Sequence, residues 1–201
     1  MVNEMSGRPR LTPKGERTRA RIVEEAAVLI HERGVAGTTL DDVKAAAEVS
    51  GSQMYHYFPD KDELVQAVID YQADAIVNRH RQALDSANGV EAWRNMVITA
   101  AERVQAKGGC PLGSLGGQLA ESDPEARSLI AAGFQRWTAE ISEGLRSLQA
   151  GGQLPPSLDP DDLAVTLLAT LQGGLLLAQV QRSTRPFETA VDTLLALTIG
   201  G

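Results

Sequence analysis

Disulfides are excluded by arithmetic. The 201-residue chain has one cysteine, Cys110, which has no internal partner and fits a reducing compartment. Histidines number three, His31, His56 and His80, and none stands at a metal-ligand spacing such as His-x-x-x-His, so neither a metal nor another cofactor is expected. No Gly-Lys-Ser/Thr completes a phosphate loop. The first thirty residues hold no apolar h-region, so no secretory signal is expected. The longest apolar run, Leu163 to Ala178, is broken by Thr166, Thr170 and Gln172 and reads as short and polar for a membrane span. A cytoplasmic protein without a membrane partner is the expectation. Strand-like alternation of apolar and polar residues is missing throughout, which points to an all-α fold of about nine helices.

Charge is unevenly placed. The net charge is −7. Residues 1–22 carry six basic side chains (Arg8, Arg10, Lys14, Arg17, Arg19, Arg21) and two acidic ones (Glu4, Glu16), a net of +4, which leaves −11 for the remainder. Either this basic end meets a polyanion while the acidic body does not, or it is a disordered tail that aids solubility.

Residues 1–11 lack periodicity and read as a flexible basic arm. Thr12 and Pro13 have the form of an N-cap and first helical residue, and Gly34 that of a helix end. Thr39 with Asp42 resembles a capping box and opens a short helix with Leu40, Val43 and Ala47 inward. Ser50 caps the next helix, and Pro59 stops it near Phe58. A longer helix begins near Lys61 and runs past Arg81 to the break at "DSANG". Further helical patterns cover Val90–Ala106, Pro124–Gln149, Leu163–Val180 and Phe187–Leu197, with "KGGCPLGSLGG" as an interruption. Three short helices precede longer ones, so a small N-terminal unit at 12–60 and a larger helical unit at 61–201 are expected.

Only eight residues are aromatic, yet Tyr55, Tyr57 and Phe58 fall together in "SGSQMYHYFPDK", with His56 among them. Successive helical residues point about 100° apart, so these side chains cannot share one core. A short helix, a tight turn and a second short helix suggest a helix-turn-helix, whose second helix enters the major groove. Met54 and Phe58 then pack inward. Ser52, Gln53 and His56 offer donors and acceptors to base edges, and the tyrosines and Lys61 can hold phosphates. The alternative is that these aromatics merely close a small core.

The stretch "TTLDDVKAAAEVSGSQMYHYFPDKDELV" resembles the DNA-binding region of the TetR family of bacterial transcriptional regulators. The matches are Thr39, Val43, Ala47, Val49, Ser50, Tyr55, Tyr57, Phe58, Lys61 and Leu64. The resemblance implies that Gly51, Ser52, Gln53, Tyr55 and His56 lie on the recognition helix, and that Thr39, Tyr57 and Lys61 hold phosphates of a double-stranded operator. Two positions depart from the family pattern. Lys44 replaces a small residue, and Glu48 replaces a glycine that serves the turn, so an altered turn is expected there.

The helix after Pro160 is apolar on nearly every side and must bury both. A homodimer through the last two helices is expected, using Leu168, Leu171, Leu175, Val191, Leu194 and Leu195; the alternative is an internal helix of a monomer. The family resemblance also implies this dimer. Trp93, Met96, Phe134 and Trp137 sit on helices that would surround a pocket for an unidentified hydrophobic or planar effector, unless they are ordinary core. The segment "GCPLGSL" resembles the ligand-binding domain of the LmrA/YxaF-type subgroup. Cys110, within it, is either a ligand-site residue, an oxidant or electrophile sensor, or a small buried hydrophobe. As a nucleophile it would need a base, and the three histidines lie in segments with other assignments, although folding could bring one close. No catalytic residue is assigned. The expected function is a ligand-responsive transcriptional regulator, a repressor released by its effector. A redox-sensing regulator acting through Cys110 and a helical adaptor that has lost DNA binding are the competing readings.

Overall fold

A computed structural model describes residues 11–86 and 88–199, the last of these by its backbone alone. Among the described residues there are nine helices and no strand. The first three are α1 (Pro13–Arg33), α2 (Leu40–Ala46) and α3 (Gly51–Tyr57). The body comprises α4 (Lys61–Leu84), α5 (Gly89–Arg103), α6 (Pro111–Leu119), α7 (Pro124–Ala150), α8 (Pro160–Gln181) and α9 (Arg185–Ile199). The basic arm at 1–11 lies outside the described residues except for Leu11.

Local chemistry sets most helix ends. Thr12 accepts the Gly15 amide and Pro13 fills the first turn, where its missing N–H costs nothing. Asp123 and Asp159 do the same ahead of Pro124 and Pro160. Gly34 ends α1 at φ 77°, a conformation open to glycine. The "KGGCPLGSLGG" interruption contains a helix of its own, α6, capped by the Cys110 sulfur and started by Pro111.

The 24-residue α4 is the spine. It packs on α1 at one end and on α5, α6 and α7 along the body. Leu64, Val65, Val68 and Ile69 join the first three helices to it, and Ala73, Ile76, His80 and Leu84 continue into the body core. α8 lies between α7 and α9. With 22 residues it is longer than the apolar run suggested, and by length and composition alone it would cross a membrane. One of its faces (Leu163, Ala164, Leu167, Leu171, Gly174, Ala178) is buried in the body core instead.

Candidate nucleic-acid interface and ligand cavity

α3 has seven residues, too few to hold itself in water. Two devices fix it. Ser50 Oγ accepts the Gln53 amide at 3.2 Å while Gln53 Oε1 accepts the Ser50 amide at 3.0 Å, a reciprocal capping box. On the inner face Met54 and Phe58 are fully buried with Val43, each contributing roughly 1.5–3 kcal/mol. The Arg19 guanidinium of α1 covers the Phe58 ring at 5.0 Å. The outward positions are those expected: Gly51, Ser52, Gln53, Tyr55 and His56 are exposed, Tyr55 by 59%. Because the cap occupies the Gln53 carbonyl, its amide NH₂ is the group left to meet a base edge.

The expected phosphate-side residues flank this face. Tyr57 is half-buried; its ring meets His56 edge-on at 4.9 Å, and its hydroxyl occupies space beside Gly15 that a larger residue would narrow. Lys61 is the half-buried first residue of α4. Thr39 is committed more fully than expected. Its hydroxyl donates to Asp42 Oδ2 at 2.5 Å and accepts the Asp42 amide at 3.1 Å; the hydroxyl bond, with a second from the Thr39 amide to Oδ2 at 2.9 Å, holds the Asp42 carboxyl below its ordinary range. The expected alteration of the turn is not seen in its backbone: Glu48 takes a left-handed φ of 50°, the conformation glycine supplies without strain. Lys44 pairs with Asp41 on the same helix.

A cavity of about 170 Å³ lies among α4, α5, α7, α8, α9 and the loop before α6. Ile76, Met96, Val97, Leu171, Leu175 and Phe187 form its apolar wall. Three of the expected ligand-site residues, Met96, Cys110 and Trp137, line it. Trp93 and Phe134 do not. Trp93 stands one layer back and donates its indole N–H to His80 Nδ1 at 2.8 Å, and Phe134 stacks on Trp137 at 6.2 Å. His80 itself, with Arg79, Lys107 and His31, was missed by sequence reasoning. The signal available was a histidine on an otherwise apolar stripe of α4. Burial, helped by the Arg79 charge, lowers the His80 pKa to about 3, so the ring is neutral. Cys110 is buried, its sulfur accepts the Gly113 amide at 3.4 Å, and burial raises its pKa. A thiol held in that form is a poor nucleophile, so nothing in the geometry favours redox or electrophile sensing.

The cavity touches α1 of the N-terminal unit directly. His31 belongs to α1, lines the cavity, and packs against Gly108, where a methyl group would lie 2.1 Å from its Nε2. Burial lowers its pKa, with Glu32 opposing. A few residues on, the Val35 amide donates to Gln118 Oε1 of α6 at 2.7 Å. Gln118 is steadied by its own bonds to Ser114 of α6. α6 therefore begins at the cavity, with Cys110 and Pro111, and ends on the helix-turn-helix unit.

Two of the expected dimer residues are corrected. Leu171 and Val191 are 1% and 0% exposed inside the single subunit, so neither can meet a partner. Leu171 and Leu175 face the cavity. Leu168, Leu194 and Leu195 are half-buried against the core. The unsatisfied apolar surface is one helical step away: Val165, Leu176, Leu177 and Val180 on α8 and Leu197 on α9, with Val180 at 74% and Leu197 at 78% exposed. An apolar helix gives no polar face from which to choose the inward side, and the choice made from sequence was out of phase for those positions.

Comparison with known proteins agrees with this architecture. The family described as "Bacterial regulatory proteins, tetR family" matches residues 22–68, and the "Tetracyclin repressor-like, C-terminal domain" matches residues 87–194. An HTH-type transcriptional regulator of Mycobacterium tuberculosis is 28% identical over 183 residues, covering 85% of this chain and 88% of that protein. The HTH-type transcriptional repressor DhaR of Mycobacterium sp. is 25% identical over 172 residues, covering 85% and 86%. The crystal structure of a TetR transcriptional regulator from Chloroflexus aurantiacus superposes with a TM-score of 0.77 at 28% identity, covering 92% of this chain and 97% of that one. With an exposed, capped helix-turn-helix joined to an all-helical body, and both halves matched, the chain is a transcriptional regulator of the TetR family and not an enzyme.

Proposed function

We propose that this regulator is a repressor that binds an approximately palindromic operator as a homodimer and leaves it when a small hydrophobic molecule fills the cavity. Regulators of the family bind operators, act as dimers and answer to small-molecule effectors. The operator, the interface residues and the effector are specific to this chain. The observation that carries the reading is the outward face of α3. Ser52, Gln53, Tyr55 and His56 are exposed together on a helix whose inner face and cap are both fixed.

The units are the arm at 1–11, the DNA-binding domain at 12–60 and the ligand-binding and dimerisation domain at 61–201. The "GCPLGSL" segment at the start of α6 keeps its resemblance to the LmrA/YxaF-type subgroup as part of this assignment. A regulator of this kind works in the cytoplasm, where its DNA is. Pairing the exposed apolar faces of α8 and α9 across a two-fold axis removes them from water. Two copies of α3 then meet successive major grooves about 34–36 Å apart. Thr39, Tyr57 and Lys61 hold phosphates, while Gln53 and His56 read base edges. A ligand in the cavity acts on α1 through His31 and on the Val35–Gln118 bond through α6. A coupling of about 1–3 kcal/mol between the two sites would change DNA affinity 5- to 150-fold.

Selection of bound duplexes from a random pool tests this. One sequence with two-fold symmetry should be enriched, and Gln53→Ala and His56→Ala should each change the bases preferred. If no sequence is enriched, or both variants select the same site as the parent, the DNA-reading role of α3 is wrong.

A further inference from the structure

The cavity differs in charge from the rest of the chain. Acidic side chains outnumber basic ones, 26 to 19, yet no Asp or Glu lines the cavity and two cations, Arg79 and Lys107, do. Neither has a carboxylate partner among the described residues. Elsewhere on the body Arg81 pairs with Glu140, Arg94 with Asp192 and Arg136 with Asp74, while Arg103 and Arg182, beside Lys107, share its lack of an ion pair among the described residues.

Three rings on the wall, His80, Trp137 and His31, carry a nitrogen without a partner among the described residues. His80 is 5% exposed and spends its Nδ1 on Trp93, so the ring proton sits on Nε2, which has no partner among the described residues. Trp137 is 3% exposed, and its indole N–H is buried with no acceptor. Both side chains line the cavity. A buried donor left unpaired, as Trp137 Nε1 is, is costly, and an acceptor brought by a ligand relieves that cost. No side chain on the wall supplies a carboxylate, and the unpaired Nδ1 of His31 can take the donor tautomer. Arg79 lies close enough to His80 to affect its protonation, which places a cation beside a buried donor.

We propose that the cavity takes an organic carboxylate, whose oxygens accept from His80 Nε2–H and Trp137 Nε1–H and face Arg79 and Lys107, and whose apolar body lies against Met96 and Phe187. The choice of ligand class deepens the effector assignment and rests on it for the effect on DNA, but not for binding. An amine meets two cations and two donors here, and an ester meets the donors without the charge.

Trp93 and Trp137 are the only tryptophans and both touch His80, so intrinsic fluorescence reports on the site. The dimer is titrated with octanoate and 3-phenylpropanoate, with their methyl esters, and with octylamine. Each acid should bind roughly tenfold or more tightly than its ester, as charge-assisted hydrogen bonds require, and octylamine should bind weakest. The double variant Arg79→Gln, Lys107→Gln changes two exposed side chains, so it should melt like the parent. It should lose about that same tenfold for the acids and bind the esters as before. Esters or octylamine binding as tightly as the acids, no binding by either acid, or unchanged acid affinity in the double variant would each overturn the carboxylate assignment. Anisotropy on the selected operator separates this from the effector reading. An acid that fills the cavity without releasing DNA supports the cavity chemistry and removes the effector role. A neutral ligand that binds more tightly than the acids and releases DNA removes the carboxylate class alone.

Discussion

Gly173 and Gly174 are adjacent on α8 and point about 100° apart, Gly173 exposed and Gly174 buried, so one methyl group at each distinguishes internal packing from the partner surface. At Gly174 an added Cβ would lie 2.7 Å from Phe187 Cδ2 and 3.2 Å from Phe187 Cα. The Phe187 ring is fully buried and the nearby Cα is backbone, so α9 itself must shift. Overpacking of this kind costs about 1–3 kcal/mol, and replacing a helical glycine by alanine returns about 1 kcal/mol. The net loss for Gly174→Ala is roughly 0–2 kcal/mol, read as a fall of about 2–4 °C in melting temperature per kcal/mol. At Gly173 nothing lies within 4 Å of the added atom inside the subunit, so the subunit alone should gain about 1 kcal/mol. On the proposed interface, however, that methyl group stands between two helices. Sedimentation equilibrium should therefore show Gly173→Ala dissociating at higher protein concentration than the parent, while Gly174→Ala is chiefly destabilised in thermal melts. A Gly174→Ala protein more stable than the parent, by the ~1 kcal/mol that a helical alanine returns where nothing is overpacked, would refute the α8–α9 packing. A Gly173→Ala dimer as tight as the parent would move the interface off this face.

Other outcomes follow from single side chains. Lys61→Ala should weaken binding to all DNA sequences alike and reduce the slope of log affinity against log salt by about one per subunit, measured by anisotropy over a salt series. His80 has a folded pKa of about 3, below its unfolded value of 6.5, so the unfolded chain binds the extra proton between these limits and stability falls as pH drops below about 6.5. The His80 share of that loss between pH 7 and pH 5.5 is about 1 kcal/mol, and in urea melts His80→Gln should lose less stability than the parent by that amount. Glu48→Gly should relieve the left-handed backbone and gain up to ~1 kcal/mol after the entropy of the added glycine is counted; a loss would show that the Glu48 side chain contributes elsewhere.

Much of the fold was legible because its signals are local. Thr12–Pro13, Gly34, Ser50 and Asp159–Pro160 each carry a cap within a few residues, and the structure places helix ends there. The inward role of Met54 and Phe58 was legible because they are four apart on a helix too short to offer alternatives. α6 was obscured by Gly113, Gly116 and Gly117, which read as loop residues but lie within a helix. Leu171 and Val191 were misplaced because α8 and α9 bury one face in the subunit and leave another apolar face open, and composition does not say which is which. The polar cavity residues were invisible for a further reason. His31, Arg79 and Lys107 come together only through the crossing of α1, α4 and the loop before α6, contacts with no counterpart in local spacing.

Hydroxyl-radical footprinting of the selected operator tests the central claim most directly. Two α3 helices held by one dimer should protect two patches related by two-fold symmetry, their centres about one helical turn or a multiple of it apart on one face of the duplex. A single protected patch, or two patches on opposite faces, would contradict the paired-helix account.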